Sequence, residues 1–176
     1  MTADLAVAVA PDPARNTWLG DAIRAGGGTV VDPADATGLV WAIPKHPERL
    51  EALLAENPSI AWVQLPFAGI ESFTYLMDDG RTWACGKGVY ADPVAELALG
   101  LLLAGMRGVG TYARRTTWEK SDANELGHNL ISAHVTILGG GGIARSLIRL
   151  LGGFGATTTA LRRRADDPVP GADRTL

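Results

Sequence analysis

The chain has 176 residues, 47% of them hydrophobic and 20% charged, with a formal net charge of -3. That length can bury a core as one large domain or two small ones, and the slight acidic balance offers no broad basic surface to neutralise a nucleic acid. A single cysteine, Cys85, excludes an internal disulfide framework and a cysteine-rich zinc site, and fits a reducing cytoplasm.

The first residues, MTADLAVAVAPDP (1–13), have no positive region and too short an apolar run for a secretion signal. Within them LAVAVA (5–10) is a buried-strand run closed by Pro11 and Pro13, and a helix is expected over 14–25, ended by Gly26, Gly27 and Gly28. Strands are expected over 29–31 and 38–43. Residues 46–58 place Leu50, Leu53 and Leu54 at helical spacing behind an early proline, which predicts a helix. A strand at 60–65, a helix at 69–77 and a strand at 81–85 complete this part. Short apolar runs alternating with helical patterns point to α/β layers around a parallel sheet.

From 92 the pattern changes. DPVAELALGLLLAGMRGVGTYARR (92–115) offers Asp92 as a helix N-cap, Pro93 at the first helical position and Glu96 in the first turn. Its apolar positions surround most of the axis, so much of this helix is expected to be buried. The run LALGLLLAGM (97–106) is about half the length needed to cross a bilayer, and no membrane partner is expected. The polar stretch 116–129 reads as a linker.

The segment 135–164 opens with the strand run 135–138 and breaks at four glycines, Gly139 to Gly142. A helix is expected over 143–151 and a second strand over 156–161. Gly139-x-Gly141-x-x-Ala144 between strand and helix matches the dinucleotide-binding fingerprint in its required context. The first glycine allows the tight turn, the second lets a pyrophosphate approach the backbone, and the small third residue lets helix and strand pack closely. The amides around Gly142, Ile143 and Ala144 would face the phosphates at the positive end of the helix dipole. The bland alternative is a glycine loop that only turns the chain. At the tip of the second strand, where an acid would select NAD(H), stand Arg162, Arg163 and Arg164. Guanidinium groups favour a 2′-phosphate, so Arg162 and Arg163 predict NADP(H) over NAD(H), the alternative being a solvated basic turn.

Three segments resemble the D-isomer-specific 2-hydroxyacid dehydrogenase family. SIAWVQLPFAGIESF (59–73) resembles its substrate loop, GVYADPVAELALGLLLAGMR (88–107) the helix joining its two domains, and LISAHVTILGGGGIARSLIRLLGGFGATTTALRRR (130–164) the start of its coenzyme domain. The resemblance implies a flavodoxin-like parallel-sheet substrate domain over 1–95. The connecting helix and the first part of a Rossmann-type coenzyme domain would follow over 96–176. It implies an NAD(P)-dependent oxidoreductase, usually a homodimer, passing hydride between the cofactor and a small 2-oxo or 2-hydroxy acid, in the manner of glyoxylate/hydroxypyruvate reductase or phosphoglycerate dehydrogenase. Ala68 and Gly69 would offer backbone amides to the substrate carboxylate. The sequence departs from the family at Gly142, where an arginine is common, and at Arg162, where an aspartate is usual.

The family's catalytic arginine, acid and histidine lie well downstream of its second coenzyme-domain strand, so no catalytic residue is assigned within these 176. His46, His128 and His134 lie in no segment matching the catalytic histidine motif. The 176 residues alone are therefore expected to be inactive, a chain truncated within the coenzyme domain. A non-catalytic nucleotide-binding or interaction module is the competing class. No metal site is expected.

Overall fold

The computed structural model describes residues 5–117 and 127–176; Trp118 and the centre of the expected linker lie outside them. The chain divides into two compact units, Met1–Val89 and Tyr90–Leu176.

The first unit is built on five short strands: β1 (Ala6–Ala10), β2 (Thr29–Val30), β3 (Gly38–Trp41), β4 (Trp62–Leu65) and β5 (Thr82–Cys85). They pair in the order β2-β1-β3-β4-β5, every pair parallel. Side chains alternate across a strand with period two, and the sequence uses that alternation to feed two cores. Ala8, Ala10, Leu39, Trp41, Val63 and Leu65 face one side, packed with Leu50, Leu54, Phe73 and Leu76. Val7, Val9 and Val40 face the other, packed with Leu19 and Ile23.

The helices follow from this. α1 (Thr17–Ala25) carries Leu19 and Ile23 on the path from β1 to β2, and α2 (Pro47–Glu56) carries Leu50 and Leu54 from β3 to β4. Right-handed crossovers that progress in opposite directions from β1 place these helices on opposite faces. The strand order reverses between β1 and β3, and the loops at the carboxyl ends of the strands are where such sheets bind ligands.

Several local expectations shift. α1 starts at Thr17 rather than at 14. Residues 69–77, expected as an α-helix, form a 3-10 helix over Glu71–Leu76. Its Phe73 is fully buried and stacks obliquely on Phe67, ring centroids 5.6 Å apart, so packing rather than helical periodicity sets this segment. Of the tryptophans, Trp41 is buried whereas Trp18 is 61% exposed.

The second unit holds α3 (Ala91–Met106), α4 (Val109–Tyr112), β6 (His134–Leu138), α5 (Gly142–Gly152), β7 (Thr157–Leu161) and β8 (Arg174–Thr175). β6, β7 and β8 form a parallel sheet in that order. β8 corrects the expectation of only two strands here. Residues 162–173 fold back so that Leu176 N–H donates to Ala160 and Arg162 N–H donates to Leu176. Ile148, Ala160 and Val169 form the core of this sheet.

The helix expected over 92–115 is in fact two. α3 ends at Met106, and Gly108, with φ +61°, breaks it from α4. Asp92 is not its N-cap: Tyr90 holds that position. The Asp92 carboxylate instead accepts from Ser146 Oγ (2.6 Å) and the Arg149 guanidinium (3.0 Å) on α5, which together hold its pKa below the usual carboxylate value. Nor is α3 largely buried. Ala95 is its only buried residue, while Val94, Leu97 and Leu101 are 38%, 62% and 65% exposed. All-round apolarity showed that α3 could be covered on every side, but the described residues cover one side of it.

Asp173 ties the returning segment to β7. Its carboxylate accepts the Thr158 backbone N–H at 2.6 Å and the Thr158 hydroxyl at 3.2 Å, and these two bonds, the first the stronger influence, lower its pKa. A depressed folded-state pKa means the stabilisation is fully present above the unfolded value, about 3.9, and is lost as pH falls through the folded one. Thermal melts from pH 7 to pH 3 should therefore show an acid-induced loss of stability in this unit that Asp173→Asn reduces. An identical acid profile in the variant would dismiss the contribution.

Candidate functional site

The strand β6 runs into Gly139, whose φ of +110° is a conformation that favours glycine, so the sharp exit from the strand depends on that residue. Its N–H donates to Leu161 at the end of β7 (2.7 Å), which brings the glycine turn and the tip of β7 side by side. Between them lies a cavity of about 600 Å³ lined by glycines 139–141, Leu161 and arginines 162–164. Gly139, Gly141, Arg162 and Arg163, singled out in the sequence, are thus brought together.

The glycines differ in what requires them. Its chain neighbours aside, a Cβ on Gly141 would meet no atom of the described residues within 4 Å, and its φ of -80° and ψ of -168° are open to any residue. Nothing in the protein's own packing demands glycine there; its effect is to leave the space beside the backbone clear. Gly140 is the opposite case. A Cβ there would stand 2.6 Å from Val169 Cγ2 and 3.2 Å from Arg162 Cδ. The returning segment rests on this glycine, a role missed in the sequence because the fingerprint leaves that position unspecified.

Gly142 begins α5, and a Cβ on it would touch Ala91 Cβ at 3.4 Å, so it lets α3 approach α5. Ile143 is 44% exposed at the helix start, and Ala144 is buried. Gly141 occupies the N-cap position of α5 and no side chain caps the helix. The first amides of such a helix have no intrahelical acceptor and carry its positive pole, which suits a phosphate. Open space at Gly141, an uncapped helix start and arginines at the strand tip together fit the adenosine diphosphate part of a dinucleotide.

The arginines are not equivalent. Arg162 is 18% exposed in its side chain; it donates from Nη1 to the Asp167 carbonyl (2.9 Å), and its Nη2 pairs with the Asp167 carboxylate (3.0 Å). Arg164 lies 3.8 Å from the same carboxylate and is 72% exposed. Arg163 is exposed, lines the cavity and has no partner among the described residues.

In the first unit, Ala68 and Gly69 stand exposed between β4 and the 3-10 helix. Phe67 is buried beside them and its carbonyl accepts from Gly86 N–H at 2.9 Å, which anchors the loop. Among the described residues the amides of Ala68 and Gly69 donate to no protein acceptor. None of the histidines lines the glycine cavity. His46 is exposed, in the left-handed region, with Nδ1 3.0 Å from Glu48. His134 holds the hydroxyls of Thr157 and Thr159 at 2.9 and 3.1 Å. His128 is exposed. Among the described residues no cluster of metal-ligating side chains and no helix long and apolar enough to cross a membrane occurs.

The arrangement has close counterparts among solved structures. A D-isomer specific 2-hydroxyacid dehydrogenase family protein from Aeromonas salmonicida superposes with a TM-score of 0.73 at 20% identity, covering 99% of this chain and 58% of its own. The fold is that of the D-isomer-specific 2-hydroxyacid dehydrogenases. D-lactate dehydrogenase with NAD+ from Lactobacillus jensenii gives 0.69 at 15% identity, covering 97% of this chain and 57% of its own. A curated protein of Corynebacterium melassecola, an uncharacterized protein in the proB 3′ region, is 34% identical over 165 residues, 88% of this chain and 51% of that protein. The chain thus spans about half the length of the curated relative it matches. No family model matches it.

Proposed function

We propose that these 176 residues are part of an NAD(P)-dependent D-2-hydroxyacid dehydrogenase, or 2-oxoacid reductase, of the glyoxylate/hydroxypyruvate reductase or phosphoglycerate dehydrogenase kind. The unit Tyr90–Leu176 is its entry into the coenzyme domain and the unit Met1–Val89 its substrate domain. The observation that carries this reading is the cavity at the glycine turn, open beside Gly141 and fronted by the uncapped start of α5. These residues would hold the adenosine and pyrophosphate end of the cofactor, which would supply the hydride chemistry. The free amides at Ala68 and Gly69 receive the carboxylate of a small 2-oxo or 2-hydroxy acid. The basic tip of β7 beside the cavity favours NADP(H) over NAD(H). The compartment is the cytoplasm, in keeping with one free cysteine.

Titration of the chain with 5′-AMP and ADP-ribose, followed calorimetrically, tests the reading. Saturable binding supports it, and none at millimolar ligand overturns it. Turnover is a separate matter. The 176-residue chain is expected to show none with glyoxylate, hydroxypyruvate or pyruvate and either reduced cofactor, since none of its histidines lies in a segment matching the family's catalytic histidine motif. Cofactor oxidation that tracks with the purified protein would reveal a catalytic group within it.

The homodimer is proposed from α3. Val94, Leu97 and Leu101 form an apolar stripe on the exposed side of the helix, the kind of surface a second copy would cover. Leu97→Glu should convert the dimer to monomer in light scattering after size exclusion. A wild-type monomer, or a variant that stays dimeric, would remove α3 from the interface.

A further inference from the structure

We propose that Asp167 is a specificity-determining residue of the glycine-loop cavity: it occupies the Arg162 guanidinium, so that Arg163 is the cation left to recognise a ribose 2′-phosphate. This rests on the dinucleotide reading above and refines which residue reads the cofactor.

The geometry is that of a clasp. Asp167 takes Arg162 twice, through its carbonyl oxygen at 2.9 Å and its carboxylate at 3.0 Å. The stem of Arg162 lies over Gly140, its Cδ 3.2 Å from where a Cβ would stand, and the side chain is 18% exposed. The clasp is backed by packing. Asp167 N–H closes a turn onto the Arg164 carbonyl (3.2 Å). Two residues on, Val169 is 2% exposed, rests on the same glycine and donates its N–H to Thr175 Oγ1 at 2.9 Å. Asp167 is therefore held in place by its own chain segment and not only by the pair it makes.

The consequence is competitive. A guanidinium binds carboxylate and phosphate through the same planar set of N–H donors. A 2′-phosphate reaching for Arg162 must displace Asp167 and leave a carboxylate beside the incoming anion. Arg164, on the same lining, lies 3.8 Å from that carboxylate, whereas Arg163 has no partner among the described residues and imposes no such exchange. Asp167 thereby lowers the site's preference for the phosphorylated ribose, and Arg163 maintains what preference remains.

The test compares 2′,5′-ADP with 5′-AMP, two probes that differ only in the 2′-phosphate, titrated calorimetrically into the 176-residue chain. Wild type should favour 2′,5′-ADP. Arg163→Ser should cut the affinity ratio about tenfold, the scale of one charge-assisted contact at a partly exposed phosphate. Asp167→Asn keeps the size of the side chain and removes its charge. It should raise the ratio about three- to tenfold, strengthening 2′,5′-ADP more than 5′-AMP. Asp167→Glu, which keeps the charge, should stay near wild type. The 5′-AMP affinity of each variant reports whether the cavity is intact. Should Asp167→Asn leave the ratio unchanged, or should Arg162→Ser rather than Arg163→Ser abolish the preference, the assignment is overturned while the nucleotide site stands. Failure of wild type to bind 5′-AMP would overturn the nucleotide reading and this one with it.

Discussion

Gly141→Val is expected to lower the affinity for 5′-AMP or ADP-ribose about a hundredfold while leaving the second unit folded. The backbone at 141 lies in a region valine adopts freely, and, its chain neighbours aside, its Cβ would meet no atom of the described residues within 4 Å. The first carbon of the new side chain therefore meets open space, and the change at an N-cap costs about 1 kcal/mol. A phosphate at the start of α5 does meet an obstacle, because the branched side chain fills the space through which it reaches the amides. Losing one or two bonds to a charged oxygen, each about 1.5–3 kcal/mol, corresponds to roughly that hundredfold. Gly140→Ala supplies the contrast. Its methyl would stand 2.6 Å from Val169 Cγ2, so it should lower the melting temperature before it changes any contact with a ligand. Calorimetric titration with thermal melts on both variants separates the two effects. Unchanged nucleotide binding in Gly141→Val would mean that no phosphate sits at the glycine turn.

Trp41→Ala should destabilise the first unit by about 3–5 kcal/mol, the usual cost of emptying a large aromatic site in a packed core. Trp41 is 1% exposed in the larger core cluster, at the end of β3, and its indole N–H donates to the Lys45 carbonyl at 3.3 Å. The variant loses apolar burial and leaves a cavity under the loop that leads into α2. Against a typical total of about 5–15 kcal/mol, this is a large fraction of the unit's stability. Trp18→Ala, at a site 61% exposed, should change stability by about 0.5 kcal/mol or less. Urea denaturation followed by circular dichroism measures both. A Trp41→Ala cost below about 1 kcal/mol would show that the sheet repacks around the gap.

Much of this architecture was legible because its signals are local. The runs that became β1, β3, β4 and β6 are mostly apolar, that of β7 is rich in β-branched threonine, and all are bounded by glycine, proline or polar residues, so their strand character needed no knowledge of neighbours. The break at Gly139 and the start of α5 beside it could be read for the same reason: a residue with φ of +110° must be tolerated at that step of the chain. The alternation of Val7 and Val9 against Ala8 and Ala10 already implied a sheet buried on both faces.

What could not be read are the partnerships. Asp92 has every local mark of an N-cap, yet its carboxylate turns to Ser146 and Arg149, 54 and 57 residues away, because α3 and α5 pack side by side. The apolar periphery of α3 showed what could be buried and not what is, since burial is decided by which surfaces arrive there. β8 is two residues long and has no periodicity; it is a strand because β7 offers an edge and Asp173 pins it through Thr158. In the cavity, residue types and spacing determined that a glycine turn would face a basic strand tip. Only the fold-back of residues 162–169 decided that Arg162 is already claimed by Asp167 while Arg163 has no partner among the described residues. Local conformation follows from sterics over a few residues of chain, whereas the partner of a charged side chain depends on where distant segments come to rest.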